Sequence, residues 1–140
     1  PPRNPAKMSA CCADTYFFIA LLFENDEAHA EAQARTAALS GRLYTSAWVL
    51  TEVADALATP GRRERFLPFL KFLRASPSVT IVPAEQALFD RGAALYDQRP
   101  DKAWSLTDCI SFVIMQDHGL RDALTGDHHF EQAGFNVLMK

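Results

Sequence analysis

From Ser105 to Phe135 the chain sets acids against its most apolar segments. Asp108 stands at the head of the run Cys109, Ile110, Ser111, Phe112, Val113, Ile114, Met115. Asp127 closes the short apolar run Ala123-Leu124 through Thr125-Gly126. A desolvated carboxylate is costly unless something compensates it. Any fold of this sequence therefore has to bury these segments and still give the acids at their ends a partner.

The rest of the chain alternates short apolar runs with helical segments. Ser9 to Ala13 reads as a buried strand, followed by Asp14 as N-cap of an apolar helix over Tyr16 to Leu22. Glu27 to Leu39 is alanine-rich and helical, and Gly41 stops it. Leu43 to Thr45 is a second strand. Ser46 caps a helix from Ala47 to about Ala58, which Pro60-Gly61 ends. On that helix Thr51, Asp55 and Thr59 form a polar stripe with Glu52 at its edge. Arg62 to Ala75 is helical with a break expected near Pro68. Val79 to Val82 is a β-branched strand between Pro77 and Pro83. Ala84 to Tyr96 is an amphipathic helix with Ala87, Leu88, Ala94 and Leu95 on one face. After a loop over Gln98 to Trp104, Ser105 caps a helix from Leu106 to about His118. Its nearly all-round apolarity places it centrally. Arg121 to Thr125 and Asn136 to Met139 are the last two strands.

Strands alternating with helices predict an α/β fold, a single domain with a mostly parallel five-stranded sheet flanked by helices. The 140 residues, 49% of them apolar, suffice for one core. Residues 1–8 read as a disordered leader, with Met8 a possible natural start and no apolar segment of a secretory signal; residues 9–140 form the domain. No run approaches the ~20 apolar residues a bilayer requires, so no membrane partner is expected. Three cysteines, Cys11, Cys12 and Cys109, lie in apolar surroundings and read as reduced core thiols of a cytoplasmic protein. Paired Cys/His spacing for zinc is missing. The net charge of −3 excludes a bulk basic field, so any nucleic-acid contact has to be local and helped by a cation.

In a parallel sheet, functional groups gather at the carboxyl ends of the strands. Asp14, Glu52 and Asp127 follow strands there, and Asp108 opens the buried helix before the fourth strand. Singly, each acid has a bland reading: Asp14, Asp108 and Asp127 as helix caps or first-turn acids, Ser105 with Asp108 as a capping box, Glu52 as a solvated residue. Jointly, four carboxylates without a neighbouring Lys or Arg repel each other unless a divalent cation sits among them, and oxygen ligands suit Mg²⁺ or Mn²⁺.

These residues resemble the PIN domain family: Asp14-Thr15, Glu52 in Ser46 to Val53, the Leu-Thr-Asp of Leu106 to Asp108, and Thr125 to Phe130 with Gln132-Ala133-Gly134-Phe135 behind it. The branch it resembles is the toxin ribonucleases of bacterial type II toxin–antitoxin systems, the VapC-like group, over about Ala10 to Leu138. Gly126 before the last acid, and His128 and His129 after it where a basic residue is common, depart from the pattern and bear on substrate preference. The resemblance implies a metal-dependent endoribonuclease in which Asp14, Glu52, Asp108 and Asp127 are the catalytic acids and hold one or two Mg²⁺ or Mn²⁺ ions. Asp14 and Asp108 are then direct ligands, and Glu52 and Asp127 bind through water or act on the attacking water. It also implies RNA as substrate and a cognate antitoxin as partner.

Thr15, Thr107, Thr125 and His128 are candidate substrate contacts, and His129 is a further candidate contact for RNA phosphate. For the threonines a strand-end or cap role is the competing reading, for His128 and His129 a solvent-facing turn. His29 and His118 read as helix-surface residues. The arginines between Arg62 and Arg74 read as a solvated face or as a contact for RNA or antitoxin, and the phenylalanines beside them suggest a partner or a homodimer. The competing functions are a PIN-type nuclease acting on DNA or in RNA processing without an antitoxin, and an inactive PIN scaffold that only binds partners.

Overall fold

A computed structural model describes residues 10–140. The expected leader and Ser9 lie outside the described residues. The chain runs β1 (Cys11–Ala13), α1 (Thr15–Leu22), α2 (His29–Ala38), β2 (Leu43–Ser46), α3 (Ala47–Ala56), a 3₁₀ turn at Arg63–Arg65, α4 (Phe66–Ala75), β3 (Val79–Val82), α5 (Gln86–Gln98), α6 (Leu106–Asp117), β4 (Asp122–Leu124), α7 (His128–Gln132) and β5 (Asn136–Val137). The five strands form one sheet in the order β3-β2-β1-β4-β5. Every pairing is parallel.

β1 is the central strand and is buried at every position. Its side chains alternate faces as a strand requires. Cys11 and Ala13 join the core formed by α1 to α4, while Cys12 joins the core of Trp104, Cys109, Phe112, Ala123 and Phe130. All three cysteines are free and buried, as expected of core thiols. Burial pushes the Cys11 thiol up to about 11, which keeps it protonated and unreactive.

α6 is buried without interruption from Asp108 to Met115. α5 lies against it through Leu88, Gly92 and Leu95, while Ala87 and Ala94, expected on the inner face, are exposed. The i, i+4, i+7 spacing of the inner set defines the true stripe, and small alanines do not mark a face by themselves. Gly92 sits at the closest approach: a Cβ there would overlap Ile110 Cγ1 and come 3.2 Å from the Ile110 Cα. Because backbone cannot yield as a side-chain tip can, Gly92→Ala is expected to cost about 1–3 kcal/mol. Urea unfolding of the variant against the parent measures this, and an unchanged midpoint would contradict the close packing.

Pro68 produces no kink. It occupies the first turn of α4, where a missing backbone N–H breaks no helical hydrogen bond. The break falls earlier, at the 3₁₀ turn. The arginines there are engaged structurally. Arg62 lies 5.0 Å over the Phe23 ring, Arg63 donates to the Ala58 carbonyl at 2.6 Å, and Arg65 donates to the Leu22 carbonyl at 3.3 Å. His29 does more than face solvent, since its Nδ1 lies 2.8 Å from the Ala20 carbonyl in the last turn of α1. α5 starts at Gln86 rather than Ala84, and β5 ends at Val137 rather than Met139. No helix among the described residues is long and apolar enough to cross a membrane.

Candidate active site

Successive strands run outward from β1 through β2 to β3, then restart on the other side with β4 and β5. The order therefore reverses between β1 and β4, and a crevice opens at their carboxyl ends. Asp14 leaves β1 at this point, and its backbone N–H donates to the Leu124 carbonyl at 3.3 Å. Thr125, Gly126 and Asp127 leave β4 beside it. α3, which follows β2, brings Glu52, and the first turn of α6 brings Asp108. One open cleft is lined by Asp14, Thr15, Tyr16, Glu52, Ser105, Asp108, Asp127 and His129, with Ala103 at its edge. The structure thus brings together the four acids singled out in the sequence. It also brings Thr15 to the lining. Thr107 and His128 lie outside it, and Thr125 lies beneath it.

Each carboxylate is held differently. Asp14 stands at the N-cap position of α1 but makes no side-chain cap bond. Its carboxylate is 5% exposed and accepts a hydrogen bond from the Thr125 hydroxyl at 3.2 Å. The cap reading of Asp14 thus fails for its side chain, which makes no cap hydrogen bond and is tied to Thr125 at the end of β4. Asp108 and Ser105 form a full capping box: Asp108 N–H donates to Ser105 Oγ at 3.0 Å, and Ser105 N–H donates to Asp108 Oδ2 at 3.2 Å. Asp127 caps α7 by accepting from the His129 N–H at 2.9 Å, and its own N–H donates to Thr125 Oγ1 at 3.1 Å. Thr125 is completely buried and links two of the acids. Glu52 accepts from the Thr15 hydroxyl at 2.6 Å.

Oxygens of Asp14, Asp108 and Asp127 all lie within 4.8 Å of one another. Glu52 stands outside this group, at the flank of the cleft. Burial, foremost, pushes the Asp14 carboxyl up to about 7, and neighbouring Asp108 adds to the rise, while the Thr15 backbone and the Thr125 hydroxyl oppose it. Asp108 is likewise raised by burial and by Asp127, against the bonds from Ser105 and His129. No Lys or Arg lines the cleft. Two oxygens on opposite sides of one Mg²⁺ would be ~4 Å apart, so the spacing and the donor set both fit a hard divalent cation.

His129 corrects the sequence reading, which gave it as a solvent-facing turn residue or a contact for RNA phosphate. Its Nδ1 lies 3.2 Å from Asp108 Oδ2 and 3.4 Å from Asp127 Oδ1, and its side chain is 21% exposed. The signal was present: an Asp that caps a helix binds the N–H of the residue two or three positions on, which fixes that residue beside the acid. His128, with its side chain 71% exposed, has its Nδ1 3.7 Å from Asp127 Oδ1 and its ring tilted against that of His129 at 4.5 Å between centres. Gly126 also has a local reason. A Cβ there would lie 2.5 Å from Tyr16 Cζ and 2.7 Å from the Tyr16 hydroxyl. Glycine lets the Tyr16 ring close over the loop that carries Asp127.

A parallel sheet with carboxylates gathered at its switch-point crevice is an α/β architecture built for ligand chemistry at the strand ends, and in this chain it is that of the PIN domain. The chain belongs to that family, whose model matches residues 11–136. Among solved structures it is similar to VapC20 of Mycobacterium tuberculosis, a sarcin–ricin loop cleaving toxin, at 23% identity and a TM-score of 0.84, over 93% of this chain and 99% of that one. It is also similar to a toxin–antitoxin complex from Klebsiella pneumoniae, at 21% identity and a TM-score of 0.65, over 92% of this chain and 96% of that one. VapBC2 from Rickettsia felis, bound to a DNA fragment of its promoter, matches at 10% identity and a TM-score of 0.65, over 93% of this chain and 97% of that one. At such identities the likeness shows a shared fold. No curated protein matches the sequence significantly.

Proposed function

We propose that this chain is a Mg²⁺- or Mn²⁺-dependent endoribonuclease and the toxin of a toxin–antitoxin pair. The observation that carries the nuclease reading is the trio Asp14, Asp108 and Asp127, with oxygens within 4.8 Å and no cation of the chain in the cleft. The ribonuclease and toxin readings draw on the likeness to VapC20 and to the Klebsiella complex.

In this reading Asp14, Asp108 and Asp127 hold the ion. When bound, it supplies a Lewis acid for the phosphodiester and for water at neutral pH. Thr125 orients two of its ligands from below, and the Ser105 backbone and His129 orient Asp108. Glu52, kept in place by Thr15, stands where it can accept a proton from the attacking water. His128 is exposed at the mouth and meets RNA phosphate from there. Thr107, outside the cleft, takes no part.

The partner site in this reading is the apolar groove between α1 and α4, lined by Phe17, Leu21, Leu39, Phe69, Phe72 and Leu73. Phe72 in the wall of this groove is 69% exposed, and Leu67, on another side of α4, is 67% exposed. An apolar helix of an antitoxin suits such a groove, and the same helix surface supports a homodimer.

The deciding experiment incubates purified protein with total RNA, with a sarcin–ricin stem-loop RNA and with DNA, each in Mg²⁺, Mn²⁺ and EDTA. Light scattering of the same preparation reads its oligomeric state. Discrete RNA cleavage in either metal and none in EDTA is expected. Cleavage of DNA alone would favour the DNA nuclease, and no cleavage in any metal would leave a binding scaffold.

A further inference from the structure

The acid cleft offers RNA no positive charge, yet a polyanion has to be held beside it. A second hollow, of about 410 Å³, adjoins the cleft, and Ala103 forms part of both walls. Its other lining includes Tyr96, Asp97, Arg99, Lys102 and Trp104. Trp104 is the floor: it is buried, its Nε1 donates to Gln132 Oε1 at 3.1 Å, and its ring packs edge-on against Phe112 at 5.0 Å. Over this floor stand two cations, Arg99 at 5.1 Å from the ring centre and Lys102 at 6.0 Å. Asp101 holds Arg99 by two bonds of 3.0 Å, which fixes the guanidinium and offsets its charge. Among the described residues Lys102 forms no ion pair. Tyr96, toward the end of α5, is 55% exposed and has no ring partner among the described residues. Asp97 is the one acid in the wall.

We propose that this hollow is a nucleotide subsite for single-stranded RNA next to the scissile phosphate, with Tyr96 stacking on a base and Lys102 pairing with a backbone phosphate. The proposal rests on the ribonuclease reading of the acid cleft and adds the side from which the strand enters. The chemistry suits such a ligand: an aromatic face accepts any base, and a cation on a short wall tracks the backbone. Arg99, stacked on Trp104, keeps the floor and the loop over residues 99–102 in one arrangement, so it is a positioning residue. Asp97 disfavours a second phosphate at the same spot and sets the register of one nucleotide.

The test uses full-length protein carrying Asp108→Asn to prevent turnover, and a fluorescein-labelled random 12-mer RNA in Mg²⁺, read by anisotropy over a range of salt. Tyr96→Ala is expected to weaken binding about tenfold, the scale of one base–aromatic stack. Lys102→Ala is expected to lower the slope of log affinity against log salt by about 0.7, one single-strand phosphate contact. Lys71→Ala, on the exposed side of α4, is the control and should change neither. In the wild-type background, Mn²⁺ should raise the melting temperature of both test variants as it does that of the parent, because the acids are untouched. Parental affinity and salt slope in both variants would overturn the subsite and leave the nuclease reading standing. Failure of wild type to bind or cleave RNA in either Mg²⁺ or Mn²⁺ would overturn the RNA reading, and this subsite with it.

Discussion

Asp14→Asn and Asp108→Asn are each expected to lower the proposed RNA cleavage by roughly 10²–10³-fold or more, the scale on which loss of one electrostatic stabiliser is felt. Both changes keep side-chain volume and an acceptor oxygen. An asparagine at position 14 can still accept from the Thr125 hydroxyl, and one at 108 can still accept from the Ser105 backbone. What they lose is negative charge within the group of oxygens that lie within 4.8 Å of one another. Circular dichroism should therefore be unchanged while single-turnover cleavage of RNA in Mg²⁺ collapses. Glu52→Gln should act on the rate with less effect on metal-induced stabilisation, because Glu52 stands outside the group and binds Thr15. Near wild-type cleavage by either aspartate variant would remove the metal-site assignment.

The second large effect appears in the protein without metal. The Asp14 carboxyl is raised from an ordinary 3.8 to about 7, chiefly by burial. Below about pH 4 both folded and unfolded chains hold this proton, and the group contributes no pH dependence. Between there and pH 7 the unfolded chain has lost a proton that the folded chain keeps. Stability in EDTA therefore falls as pH rises, and levels off above the folded value. A rise of this size corresponds to on the order of 4 kcal/mol, an upper bound for a group coupled to Asp108. Asp14→Asn abolishes that slope and is expected to raise the melting temperature at pH 7 in EDTA by several degrees. Mn²⁺ should stabilise wild type and leave the variant nearly unmoved. Asp108→Asn gives a smaller gain, since Asp108 also closes the capping box, and losing a helix N-terminal charge costs about 0.3–1 kcal/mol. Melts of the three proteins at pH 5 and pH 7, with EDTA and with Mn²⁺, check both signs. A wild type that grows more stable from pH 5 to 7 in EDTA would show that the acids carry no such strain.

Local chemistry alone placed most of the elements. Ser46 and Ser105 each bind an N–H three residues on, so the starts of α3 and α6 were legible from a few adjacent residues. The β-branched run Val79–Val82 and the apolar run of α6 likewise state their own structure, and the acids at the strand ends could be recognised from order and spacing. Pro68 and the alanines of α5 misled, because what a proline or an alanine does depends on the turn it occupies and on what lies opposite.

The amino-acid sequence by itself thus determined the elements, the parallel α/β class and which acids were available to a site. Tertiary structure alone decided how they are used. The order β3-β2-β1-β4-β5 pairs strands whose sequence separation exceeds a hundred residues, as in Cys11 with Asp122, and no local pattern encodes that choice. It seats Thr125 under Asp14, ties that carboxylate to β4 without the expected cap bond, and buries it until its affinity for a proton rises to neutrality. It also swings His129 onto Asp108 and fits Tyr16 over Gly126. Hydrogen bonds between neighbours are written in the sequence. Burial and charge repulsion are properties of what the fold brings together, and these raise Asp14 and Asp108 above the ordinary carboxylate range.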